Sequence, residues 1–154
     1  MLILKKFKLA SYSLLFLFSF HVFGIDYSTP LGYWNILDSA TKTPSALVLV
    51  YKNTDGTLAG KILRIYKFSE KESKGICTMC DGHLKNQPMI NMNIIWGLKL
   101  IKPMLWGEGY ILDPDDGKIY SLQITLSKDG QSLYLRGYIF KPAFGKTQQW
   151  KRGS

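Results

Sequence analysis

Cysteine and histidine are scarce: 154 residues hold only Cys77, Cys80, His21 and His83. So few ligands and nucleophiles exclude a disulfide-dense miniature fold and leave little material for a metal or thiol enzyme. Acidic residues are also few, 11 against 20 Lys and Arg. The basic residues are scattered without a run of five, so a nucleic-acid-binding tail is excluded. Also missing are a Gly-x-Ser-x-Gly elbow, a His-Glu-x-x-His helix and a phosphate-cradling Gly-x-x-x-x-Gly-Lys-Ser/Thr loop. The chain therefore reads as non-enzymatic and without a cofactor. What it does contain, 46% apolar and 14% aromatic residues, suits one globular domain and not a disordered chain.

The first 24 residues read as a cleaved secretory signal. Lys5, Lys6 and Lys8 precede the apolar run Leu14 to Phe18, and Val22-Phe23-Gly24 supplies the cleavage site before Ile25. Ser11, Ser13, Ser19 and His21 interrupt the stretch, which falls short of the roughly 20 apolar residues a spanning helix needs. No transmembrane span is expected after cleavage. Residues 1–24 carry three lysines and no acid, so the formal charge of +9 leaves an excess of six on residues 25–154. A moderately basic exterior suits an acidic envelope surface or an anionic ligand, as well as ordinary solubility.

Periodicity in residues 25–154 is that of strands. In Lys118 to Ser127 the residues Tyr120, Leu122, Ile124 and Leu126 share one face, opposite Ser121, Gln123 and Thr125. In Gln131 to Phe140, Leu133, Leu135, Gly137 and Ile139 lie opposite Tyr134, Arg136 and Tyr138. Asn53-Thr54-Asp55-Gly56, Asp113 to Gly117 and Ser127 to Gly130 place Asp or Asn before Gly, as tight connections require. Eight segments follow: 31–38, 46–53, 57–68, 91–98, 106–113, 117–127, 131–140 and 145–152. Short connections imply an antiparallel up-and-down order, and closure into a barrel removes exposed edges. The expected fold is all-β, an eight-stranded barrel. A two-sheet sandwich of the same strands is the alternative, since periodicity does not report closure.

One long loop, at about 69–90, holds Cys77-Thr78-Met79-Cys80-Asp81-Gly82-His83 and is expected at one mouth of the barrel. A local disulfide between Cys77 and Cys80 is the plainest reading outside the cytoplasm. Free or exchanging thiols and a metal site with His83 are the alternatives, but a structural zinc site wants four ligands and no other Cys or His lies beyond residue 24. Asp113, Asp115 and Asp116 resemble a calcium loop only superficially, because Gly117 and Ile124 occupy positions where an EF-hand wants oxygen ligands. No metal site is expected.

Function then rests on the barrel. Trp34, Trp96 and Trp106 are candidates to line a pocket for a small apolar or amphipathic ligand, with core packing as the plainer use of large rings. Arg64, Arg136 and Tyr138 are candidates to meet a polar head group if they point inward. The alternatives are a non-enzymatic module that binds another envelope protein, and thiol–disulfide exchange at Cys77 and Cys80.

Gly32-Tyr33-Trp34 on the first strand, with Lys151-Arg152 ending the last, resembles the Gly-x-Trp and terminal-Arg signature of lipocalins and related calycin barrels. That likeness implies that Arg152 packs over Trp34 and closes the barrel with Gly32. Further stretches are Cys77-x-x-Cys80, Lys85 to Ile90, Ile111-Leu112-Asp113-Pro114, Gly117-Lys118-Ile119-Tyr120, Arg136-Gly137-Tyr138 and Phe144 to Trp150. With these the chain resembles the bacterial secreted domain-of-unknown-function family numbered 2147. The sequence departs from that family at Asn91 and Phe140, where Gly is usual, and at Lys146, where Arg is usual. The resemblance implies a lipocalin-like barrel in the envelope or secreted, and brings no established reaction.

Overall fold

A computed structural model describes residues 28–68 and 75–153. The expected signal, residues 1–24, lies outside them. Eight strands run in chain order: β1 (Gly32–Leu37), β2 (Pro44–Lys52), β3 (Leu58–Ile65), β4 (Asn93–Lys102), β5 (Leu105–Asp113), β6 (Lys118–Leu126), β7 (Ser132–Tyr138) and β8 (Gly145–Arg152). Each pairs antiparallel with the next, and β8 returns to β1 to close a barrel. All eight expected segments are present. The main difference is β4, which continues to Lys102.

Alternation decides what faces inward. The register Trp34↔Val48, Val48↔Ile62, Trp106↔Ile124, Ile124↔Leu135 and Leu133↔Trp150 carries one set of side chains around the inside. Trp34, Val48, Ile95, Leu98, Leu122, Ile124, Leu133 and Trp150 are fully buried there. Side chains fill the middle of the barrel, as its eight-strand diameter allows. Gly109 admits Leu98, whose Cγ stands 2.7 Å from where a Cβ would lie, so a larger residue has no room.

Closure is uneven. Strands β1 and β8 share three pairs, Trp34↔Arg152, Asn35↔Lys151 and Ile36↔Trp150, while the upper part of β8 pairs only with β7. Gln148 and Lys146 lie on the inward face of β8 yet are exposed, so solvent reaches the upper lumen along this seam. The lower end is shut. There the segment before β1 crosses the barrel, and Trp34 Nε1 donates to Pro30 O at 2.7 Å. The Arg152 guanidinium lies 4.2 Å over the Trp34 ring. It donates to Gly130 O, Leu31 O and Thr29 O at 2.7, 2.9 and 3.1 Å, tying the strap and the β6–β7 turn together. Gly32 at φ +114 lets the chain pass that guanidinium.

Asn91 and Phe140, the two departures from an expected Gly, both take left-handed backbone at φ +67 and +69. Asn adopts that conformation readily, whereas Phe does so at a cost of about 1–2 kcal/mol.

Turn aspartates make the barrel acid-sensitive. Asp38 accepts from Thr41 N at 2.8 Å and Ala40 N at 3.0 Å, and pairs with Lys67 at 3.0 Å. These bonds, the Thr41 amide first, hold its carboxyl well below the usual range. Asp55 and Asp129 are lowered by hydrogen bonds from Thr57 and from Ser127 and Gln131. Groups lowered on folding stabilise in full above their unfolded pKa, here 3.8, and the contribution is lost as pH falls through the folded values. Asp113, raised by burial, works in the opposite sense. Among the described aspartates with a resolved shift the lowered ones prevail, so Tm is expected to fall as pH drops below about 4. A Tm that holds or rises in thermal melts across that range contradicts this.

Candidate functional site

The described part of the long loop forms a compact unit at the upper end. Cys77 and Cys80 are joined by a disulfide with Cα atoms 5.4 Å apart. Ile76 bridges Pro88, Cys77 N donates to Gln87 O at 2.9 Å, and Met89 N donates to Gly75 O at 2.8 Å. The loop docks on two sides. Asn91 N donates to Ile62 O and Ile62 N to Met92 O, fastening it to β3. The backbone of Met79 lies against Gly117 in the β5–β6 turn, where φ is +71 and any Cβ would collide with the Met79 carbonyl.

Docking extends the apolar core to the outer side of the barrel wall. Leu112 pairs with Ile119, and Ile94 stands in the same outward row by the register of its neighbours. Ile94 and Leu112 are nonetheless buried, as are Cys77, Cys80 and Met89 above them. At the rim, where the loop meets the ends of β5, β6 and β7, lies a cleft of about 310 Å³ lined by Cys80, Asp81, Leu84, Leu112, Lys118, Ile119, Tyr120 and Ile139 among others, with Leu112 and Ile119 from the outer face and Tyr120 from the inner. Tyr120 Oη donates to Asp116 Oδ2 at 2.5 Å. That bond pushes the Tyr120 phenol up to about 12, so it stays protonated and fixed. A second hollow of about 200 Å³ lies at the lower end, beside Pro30, Leu58, Leu100 and Trp106.

The six residues expected to line a pocket do not gather in one place. Trp34 and Trp106 face inward, near the closed end. The other four are corrected to the outer surface. Trp96, Tyr110, Ser121 and Tyr138 form one outward row, with Trp96 stacked on Tyr110 at 6.0 Å between centroids. Arg64 is exposed beside Tyr66. Arg136 pairs across to Gln123 and Thr147 on the outside, and its guanidinium donates to Pro142 O, Ala143 O and Thr147 Oγ1. The reason is parity: Leu135 and Gly137 face inward, so Arg136 and Tyr138 cannot. The cleft residues Leu84, Leu112, Lys118, Ile119 and Ile139 were not candidates. Ile119, an apolar residue at a polar-face position of β6, is the signal that could have found them.

Among the described residues no group of three His, Cys, Asp or Glu is placed to hold a metal ion. Both cysteines of the disulfide are 1% exposed. Attack by an external thiolate needs access to a sulfur, so the bond is expected to survive dithiothreitol in the native state and open once denaturant is added. Mass shifts after thiol alkylation measure this. Rapid native reduction contradicts it and favours exchange chemistry.

The closed eight-stranded up-and-down barrel, with its lower end shut by an Arg over a Trp, defines a lipocalin-like protein. The chain belongs to the bacterial family described as "Uncharacterized protein conserved in bacteria (DUF2147)", whose family model matches residues 32–152. A solved structure similar to it is protein HP1028 from the human pathogen Helicobacter pylori, described as belonging to the lipocalin family. It superposes with a TM-score of 0.67 over 80% of this chain and 82% of that one, at 18% identity, which speaks for the fold alone. No curated protein matches the chain.

Proposed function

We propose that the protein is a non-catalytic, lipocalin-like binding protein of the bacterial envelope or exterior. It holds a small apolar or amphipathic ligand in the cleft beside the disulfide loop. The observation that carries this reading is the cleft itself: about 310 Å³, walled by Leu84, Leu112, Ile119 and Ile139, with Lys118 at its edge. That volume is at the small end of ligand sites, suited to a small molecule or the end of a chain. Side chains fill the middle of the barrel, which favours the rim over the axis as the ligand's place. The disulfide fits an oxidising compartment. No helix among the described residues is long and apolar enough to cross a membrane.

The mechanism is burial with one charged contact. Removing about 200 Å² of apolar ligand surface from water contributes roughly 5 kcal/mol before association costs, which corresponds to a Kd of about 0.2 mM at best from burial alone. Lys118 is positioned to meet an acidic head group. Titration with dansyl-undecanoic acid tests this. Saturable binding is expected, weakened at least ~10-fold by Ile119→Glu, which sets a carboxylate in the apolar wall. No saturable binding, or equal binding by the variant, overturns the proposal.

A further inference from the structure

The tip of the β7–β8 hairpin has a surface that neither barrel packing nor the cleft explains. Phe140 and Phe144 are 93% and 81% exposed, and Ile139 beside them is 54% exposed. The tip is braced. Pro142–Phe144 form a 3-10 turn, Phe144 N donates to Lys141 O at 3.0 Å, and Arg136 donates to the carbonyls of Pro142 and Ala143. The rings are thus displayed by an ordered turn. Phe140 is moreover held at φ +69, where Gly closes the same turn without strain. A turn that served only to connect two strands would gain nothing from a strained, solvated ring there.

Charge supplies the second observation. From Gly130 to Ser154 the chain carries Arg136, Lys141, Lys146, Lys151 and Arg152 and no Asp or Glu. Lys146 lies in the field of Asp113, Lys151 donates to Ser132 Oγ at 2.8 Å, and Arg152 belongs to the closed end. Arg136 and Lys141 remain beside the rings. Two aromatic rings and an isoleucine cover far less than the ~1,000 Å² total that a specific protein interface buries. Apolar rings that enter an interfacial layer while cations meet phosphate need no such area.

We propose that this hairpin tip docks the protein on an anionic phospholipid bilayer, with Phe140 and Phe144 inserted at the headgroup boundary, Lys141 against lipid phosphate, and Arg136 adding its positive charge while it braces the turn. Docking brings Ile139, which lines the cleft, to the bilayer surface.

The test is co-sedimentation of the exported, purified chain with vesicles of phosphatidylglycerol and phosphatidylcholine, and with phosphatidylcholine alone. Stronger partition onto the anionic vesicles is expected, falling as salt rises. Phe140→Gly should reduce partition about tenfold or more while raising Tm, because one change removes both the ring that enters the bilayer and the backbone strain. Phe144→Ser should reduce partition similarly, and keeps the test decisive if the first variant folds poorly. Lys141→Glu should weaken binding to anionic vesicles only. Dansyl-undecanoic acid binding should survive Phe140→Gly, so failure here is distinguishable from failure of the cleft. Equal partition of wild type and both Phe variants, or no partition at all, overturns the proposal. So does a dimer in sedimentation velocity that Phe140→Gly dissociates, which would assign the tip to a second copy of the chain.

Discussion

Replacing Trp34 by alanine is expected to remove about 3–5 kcal/mol of stability. The ring is 0% exposed and sits on the inward face of β1 at the closed end. Its loss leaves a cavity among aliphatic neighbours, strands the carbonyl of Pro30, and strips the Arg152 guanidinium of the surface 4.2 Å beneath it. For a domain of this size Tm should drop by roughly 10–20 °C in a thermal melt followed by circular dichroism. A change within about 1 kcal/mol, typical of a surface substitution, would contradict the packing described for this end.

Gly117→Ala should act through geometry alone. The glycine has φ +71, and its missing Cβ leaves room for the Met79 carbonyl. A methyl group there meets backbone, which cannot rotate away as a side chain can, so the disulfide loop must lift off the β5–β6 turn. About 2–4 kcal/mol should be lost as the part of the core under the loop, Leu112, Ile94 and Met89, opens to water. The diagnostic readout is chemical: the Cys77–Cys80 bond, inert in the native protein, should become reducible without denaturant. If Gly117→Ala unfolds at the wild-type temperature with its disulfide still protected, the loop is not seated as described.

Local chemistry made the fold legible. Alternation in Tyr120 to Leu126 and Ser132 to Gly137 marked inward faces, and Asp-Gly turns marked where strands reverse. It failed on β4, because Ile94 and Ile95 are both buried, one by the docked loop and one by the lumen. The expected segment, 91–98, stops short of Leu100, an exposed residue that lies inside the strand. For the site, the same alternation already set Arg136 and Tyr138 opposite Leu133 and Leu135; an inward ligand contact required breaking it. The cleft itself was hidden. Leu84 and Ile119 are neighbours only because the Met79 backbone fits against Gly117, a non-local contact that strand periodicity does not encode.

Methyl-resolved NMR of the isotope-labelled protein during titration with dansyl-undecanoic acid probes ligand placement directly. Binding in the rim cleft predicts shifts centred on Leu84, Leu112, Ile119 and Ile139, with Leu122, Ile124 and Leu133 in the filled axis unmoved. Shifts centred on those axial methyls, or none under saturating probe, would contradict it.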